Sequence, residues 1–572
     1  MNYARAAHPR PITIRCILTL ACLVLAVGAG KALGESKPAI NGYDDYRAMR
    51  QKLERLAVSP HTTLTSLGKT LGRREVLLLT VGTGKVDEKP AILIVGGVHA
   101  PHLLGSQLAL GVASRLVAMA EDDPAVLDRV TLYVLPRPAP DACEAFFQPP
   151  YRERSGNERP TDDDRDGNID EDGPEDLDGD GWITMMRVAD KTGAYIPHPT
   201  DPRVLIKADP SKGEQGQYAL YVEGRDNDGD EQFGEDGPGG VALNRNFTFR
   251  YPYFQENAGP HQVSEIETRA LADFAFSRPN IAAVVTFTPE DNLLKPWEAS
   301  GTSTSGRIQT SVDADDAKLF GHIGRQYQEL LQLPEGVNAP DSSDGAGSFS
   351  EWAYFHYGRW SFGCRGWSIA VEPLPEGEDK KEPAEEDRGA DDVRALRWFT
   401  QNKIDGFVDW KPFTHPDFHS KKVEIGGFKP FVRINPPEER LGTLVDKHTR
   451  AIRQLGHWLP RIAIEDVEVD KLGGGLWRAS LTVVNHGLLP TMSRMGEKTQ
   501  QLHPLQLQVT LPEGTELITG SSRTRLPVIS GSGGKAEYSC LLRCANPVDT
   551  TLNVKVWSPS VGAAIQVIRL GK

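Results

Sequence analysis

The sequence predicts an α/β sheet with helices on its faces, followed by a small β-sandwich-like domain. Three observations carry this. Residues 40–150 alternate short, fully apolar runs with segments of helical apolar spacing, the pattern of buried strands between covering helices. The same alternation resumes after about residue 240. Beyond 461 it gives way to short alternating strands, with turn residues at roughly even intervals.

Taken in order, "YDDYRAMRQKLERLA" has helical spacing, and "EVLLLTVG" and "KPAILIVGGV" read as strands. "LLGSQLALGVASRLVAMA" is a helix and "RVTLYVLPRP" a strand. Residues 150–240 interrupt the pattern, being rich in Asp, Gly and Pro. "SEIETRALADFAFS" is then a helix, "NIAAVVTFT" a strand and "ADDAKLFGHIGRQYQELLQL" a helix. "RGWSIAVEP" reads as a strand, Glu376 to Gly389 as a charged loop, and "ADDVRALRWFTQNKIDGFVDW" as the helix closing a domain of residues 40–412. Residues 413–460 read as a turn-rich linker and a helix, and 461–572 as the β-domain.

A length of 572 residues suggests about three or four domains. Arg5, Arg10 and Arg15 precede an apolar run from Cys16, followed by small residues. Residues 1–34 therefore read as a cleaved secretory signal, and the mature chain as exported, periplasmic or secreted. An uncleaved anchor is the other reading. No later segment is judged long and apolar enough to span a bilayer, so no membrane span is expected after cleavage. Cys143, Cys364, Cys540 and Cys544 remain, and both bridges and buried free thiols are open to them.

The net charge of −14 is local. Asp162 to Asp180 holds eleven carboxylates against one arginine, and Asp226 to Asp236 holds six with no base. No basic stripe points to nucleic acid, and none is expected as a partner. Alternating carboxylates with turn glycines suit a hard cation, because Ca²⁺ takes about six to eight oxygens. Asp164, Asp166 and Asp170, then Asp176, Asp178 and Asp180, then Asp226, Asp228 and Asp230 are the candidate ligands of a structural Ca²⁺. EF-hand spacing is broken, with Gly173 and Arg187 at the twelfth positions. A solvated acidic loop is the alternative, against which Ile169, Trp182 and Ile183 offer apolar groups to bury.

"GGVHAPHLLG", "VLPRPAPDACEAF", "GGVALNRNF", "SEIETRAL" and "AVVTFTPEDNLL" follow in that order. The series resembles the zinc carboxypeptidase family, the carboxypeptidase A-like metallopeptidases, over about residues 45–410. "SLGKTLGRREVLLLTVG" looks like that family's N-terminal hairpin and strand. The resemblance implies a mixed sheet flanked by helices. It also implies Zn²⁺ held by a His-x-x-Glu pair and a later His, with a further Glu activating water.

Against that pattern His99 matches the first ligand. His102 stands where the ligand Glu belongs, Thr288 where the third His belongs, and Arg365 where the catalytic Glu belongs. Glu372, seven residues on, is the carboxylate left to act as base. Asn244 and Arg245 match the family's binders of a peptide's terminal carboxylate, a role that suits a guanidinium fork. Arg152 or Arg154 matches the arginine that polarises the scissile carbonyl.

Three readings follow. One is an exported family member with a degenerate, catalytically impaired site that still binds peptide or protein C-termini through Asn244 and Arg245. The second is an active metallocarboxypeptidase with a rebuilt Zn²⁺ site of His99, His102 and Glu290. The third is a non-catalytic, Ca²⁺-stabilised interaction scaffold. His99 and His102 also read simply as a hydrogen-bonded pair at a strand–helix turn.

Overall fold

Helix α1 (Tyr46–Leu56) opens on Asp45, whose carboxylate accepts the Ala48 N–H at 2.6 Å. The structure is a computed structural model that describes residues 42–162, 167–170, 172–227, 229, 233–234, 237, 239–299, 309–333, 345–372, 388–544 and 550–570. The expected signal, 1–34, lies outside them.

After α1 come β1 (Thr62–Lys69), β2 (Glu75–Val81), β3 (Ala91–Val95), α2 (Leu103–Asp122), β4 (Thr131–Leu135) and α3 (Pro140–Glu144). The interruption contributes β5 (Met185–Ala189), β6 (Tyr195–Pro197), β7 (Leu205–Lys207) and β8 (Tyr218–Val222). The series continues with α4 (Ile266–Ser277), β9 (Ile281–Phe287), α5 (Ala314–Leu331), α6 (Phe349–Phe355), β10 (Trp360–Cys364) and α7 (Ala390–Asn402). Then follow β11 (Phe407–Phe413), β12 (Val423–Phe428) and α8 (Glu438–Trp458).

The main sheet runs β1-β2-β4-β3-β9-β10. β1 and β2 form an antiparallel hairpin, β2 is antiparallel to β4, and β4, β3, β9 and β10 are parallel. β3, β4, β9 and β10 are buried along their whole length, as a sheet covered on both faces requires. The fold is the expected mixed α/β sheet.

α2 corrects the membrane expectation. By length and composition it is apolar enough to cross a bilayer, yet 67% of that window is buried inside the fold. It is a core helix. α8 lies against it so closely that a Cβ on Gly111 would stand 2.5 Å from Val445 Cγ2.

Three local readings also differ. The strand expected at "RGWSIAVEP" lies earlier, as β10; Gly366 turns at φ +80°, and only a short 3₁₀ turn, Ile369–Val371, follows. α7 stops at Asn402, with Lys403 left-handed at φ +54°, and "FVDWKPF" is β11. The interruption and the expected linker build one sheet, β11-β12-β5-β8-β6-β7. Its strands are short and half-exposed, so their periodicity is weak. Met186, Val188, Phe233, Val423 and Ile425 give it a small core of its own.

The C-terminal strands are β13 (Ile462–Gly473), β14 (Leu476–Asn485), β15 (Gln506–Thr510), β16 (Thr515–Thr519), β17 (Arg523–Arg525), β18 (Gly534–Cys544), β19 (Thr551–Ser558) and β20 (Gly562–Arg569), with α9 (Arg494–Thr499) between β14 and β15. They pair as two four-stranded sheets, β13-β14-β18-β16 and β17-β15-β19-β20, around a separate core. The four cysteines outside the first 41 residues are buried and unbridged.

Candidate functional site

The strand–turn–helix at His99 is shaped by two glycines. Gly97 turns at φ +59°. A Cβ on Gly96 would sit 2.2 Å from the Gly105 carbonyl oxygen, so only glycine lets the start of α2 pack against the end of β3. The His99 carbonyl then accepts the His102 N–H at 3.0 Å, and His102 stands at the helix N-cap.

His102 is fully buried, and its Nε2 lies 2.9 Å from the Arg365 carbonyl oxygen. A carbonyl only accepts, so Nε2 carries the proton; Nδ1 is buried with no partner at normal geometry. Burial, then the neighbouring His99 and Arg365, push the His102 imidazole down to about 3. His99 is also pushed down, first by burial, with Glu290 and Glu153 opposing and Arg365 reinforcing the shift.

Thr288 and Glu290 follow the end of β9. The Thr288 hydroxyl donates to Glu290 Oε2 at 2.6 Å. The Asn244 amide donates to both Glu290 oxygens, at 2.8 and 3.0 Å, while its own oxygen accepts the Phe349 N–H at 3.1 Å. Asn244 is thus saturated by a carboxylate of its own chain. Arg245 donates from Nη2 to Gln255 at 2.8 Å, and its buried Nε has no acceptor.

Arg365 is 8% exposed. Its backbone N–H donates to Asp291 Oδ2 at 2.9 Å, and its guanidinium reaches the Pro289 carbonyl from Nε at 3.2 Å and Nη2 at 3.0 Å. Burial lowers its proton affinity, while Asp291 and Glu290 hold the charge in place. A fixed cation therefore stands in the electrostatic field of both histidines.

Glu372 is placed as a structural group. Its oxygens take the Trp367 indole N–H at 2.7 Å and the Arg440 guanidinium at 2.9 Å. Arg154 donates to the carbonyls of Gly156 and Asn157 and pairs with Glu158 at 3.5 Å. Arg152 and Arg154 line a cavity of about 310 Å³ with Arg74, Asp141 and Glu144. Glu290 and Asp291 line a different one, of about 400 Å³, with Lys295 and Trp297.

The zinc donor set does not fit. Among the described residues, the one group of three or more acidic, His or Cys ligand atoms within 4.8 Å of one another is Asp176, Asp178 and Glu223. His99, His102 and Glu290 do not converge in this way, the Thr288 hydroxyl donates a hydrogen bond to Glu290, and Arg365 adds a like charge that would oppose Zn²⁺.

That acidic triad joins two expected Ca²⁺ residues to one the sequence reading missed. Asp176 accepts the N–H groups of Gly179, Asp180 and Gly181, and Asp180 accepts that of Trp182. Glu223, at the end of β8, is buried and accepts the N–H groups of Leu177 at 2.8 Å and Thr184 at 2.9 Å. Burial, with the charge of Asp178 adding, raises it to about 7. Its place three residues before the Asp226 run was the available signal. Asp170 and Asp226 accept the N–H groups of Gly239 and Gly229 and stand outside the triad, as does Asp180. Asp164, Asp166, Asp228 and Asp230 lie outside the described residues.

The description "Zinc carboxypeptidase" fits residues 49–179 and 209–372, a little over half of the chain. The chain belongs to the zinc carboxypeptidase family. Residues 461–569 match a "Domain of unknown function (DUF8731)". No curated protein matches. Among solved structures, thrombin activatable fibrinolysis inhibitor is 11% identical, covering 72% of this chain and 73% of that one, at a TM-score of 0.38. Carboxypeptidase A from Helicoverpa armigera is 12% identical over 63% and 72%, at 0.35. A metallo-carboxypeptidase from Burkholderia cenocepacia is 13% identical over 55% and 58%, at 0.28.

Proposed function

We propose that this zinc carboxypeptidase-family protein is exported and catalytically impaired, and that it binds the C-terminal carboxylate of a peptide or protein without cleaving it. The carrying observation is the replacement of metal chemistry by internal bonds. Thr288 and Asn244 both hold Glu290, and Arg365 brings a guanidinium and a carbonyl to the histidines. Arginine does not serve as a general base near neutral pH. The partly exposed guanidinium of Arg245, held from Nη2 by Gln255, supplies the carboxylate contact. Asn244 joins only if Glu290 releases it. The basic, apolar and small-residue order at the N-terminus supports export.

The test has two parts. Zinc per mole of the mature chain is measured after purification without chelator, together with release of C-terminal residues from a peptide panel. The reading expects neither zinc nor release. Near-stoichiometric zinc with hydrolysis lost in His102→Ala would replace it by the active reading. Peptide binding is then compared with the C-terminally amidated peptide and with Arg245→Ala, and both should weaken it by about tenfold. Equal binding in all three would sink the carboxylate role.

Asp176, Asp178 and Glu223 favour one addition, a structural Ca²⁺ beside the end of β8 in the inserted sheet. In that reading the ion stabilises the insertion and takes no part at His99.

A further inference from the structure

A third cavity, of about 270 Å³, lies at the other end of the parallel strands. Ile92 and Leu132 lie near the starts of β3 and β4, whereas His99 follows the end of β3. One wall comes from α8, which is outside the residues matched to the family. Ile92, Leu116, Leu127 and Leu132 give the cavity an apolar floor.

Arg129, Arg453 and His457 stand around it. Among the described residues, none of these three side chains makes an ion pair or hydrogen bond. Arg129 is also pressed by Arg461, and both burial and that second guanidinium lower its proton affinity. The lining has one carboxylate, Asp123, whose Oδ1 is engaged by the Ala125 N–H at 3.1 Å. Two guanidinium groups beside a single carboxylate leave an excess of positive charge that a bound anion offsets. An apolar floor with a few convergent polar groups is the usual form of a small-molecule site.

We propose that this cavity binds an organic carboxylate carrying a short apolar chain or a single ring. The carboxylate sits between Arg129 and Arg453, and the apolar body covers the floor. The site is independent of the reading given for His99 and Arg245.

The probe is 4-phenylbutyrate, titrated calorimetrically into the mature full-length chain, with 4-phenylbutanol and acetate as partners lacking one half of the chemistry. Saturable one-site binding of phenylbutyrate is expected, with both partners weaker by about tenfold or more. The double variant Arg129→Ala/Arg453→Ala should lose about tenfold in affinity at unchanged melting temperature, because neither side chain makes an ion pair or hydrogen bond among the described residues. Gly456→Leu should abolish binding by filling the space. A Cβ there meets Val130 Cγ2 at 3.5 Å, ordinary contact. Should that variant misfold, the arginine pair alone decides. Phenylbutyrate bound no better than phenylbutanol, or binding unchanged in the double variant, overturns the proposal.

Discussion

Glu267 shows what one buried carboxyl does to stability. It lies on α4 at 2% exposure, and neither oxygen meets a donor at normal geometry. Burial raises it to about 7 from an ordinary 4.5, and the charges of Asp141 and Glu265 push the same way. An acid raised on folding adds stability below its unfolded value and loses it as pH rises through the folded value. Wild-type stability should therefore fall between about pH 4.5 and 7 by a few kcal/mol from this group alone. Glu267→Gln should raise the melting temperature at pH 8 and leave it nearly unchanged at pH 5; an equal effect at both would reject the ionisation account. A second prediction belongs to His102, Thr288 and Arg365. Replacing them together by Glu, His and Glu should give a chain that takes up zinc and releases C-terminal residues. A folded triple variant without zinc would place the obstacle to zinc binding in the backbone rather than at these three positions.

Asp316, near the start of α5, accepts the Arg494 and Met495 N–H groups at the start of α9, at 3.0 and 3.2 Å, and the Tyr354 hydroxyl at 2.8 Å. Lys498 pairs with Asp313 at 2.9 Å beside it. Leu489 and Met495 sit in the main core, so this excursion from the C-terminal domain is packed into the family fold. Asp316→Ala should cost about 1–3 kcal/mol and loosen α9 first, seen as earlier proteolysis there. Nothing local in the sequence announced this contact, since α9 is short and its partner lies 178 residues away. β3, β4 and β9 of the main sheet were legible because each is a continuous apolar run buried on both faces. β5, β8, β11 and β12 were not, because half-exposed strands bonded across long separations leave little periodicity. The same holds at the site. His99, Thr288 and Arg365 were readable from motif order, whereas the grip of Asn244 on Glu290 depends on rotamers that no spacing encodes.

At the scale of the whole molecule, residues 185–222 of the insertion form four strands that join β11 and β12 in one sheet. If Ca²⁺ occupies Asp176, Asp178 and Glu223, chelation should lower the unfolding free energy by up to about 3 kcal/mol for an ion present at 100 times its Kd, read as a lower melting temperature. Asp176→Asn/Asp178→Asn should abolish the calcium response, and a wild-type chain indifferent to chelator would remove the ion from the account. The sheet that carries this site is completed from far along the chain, with Val423 to Gly426 bonded to Met185 to Val188. During synthesis, β5 and β8 leave the ribosome with one edge bare. They wait while about two hundred further residues of the family fold are made. Closure of so long a loop is slow, and an open edge invites pairing with other chains. The acidic runs that flank β5 and β8 in the sequence, Asp162 to Asp180 and Asp226 to Asp236, add like-charge repulsion against that pairing.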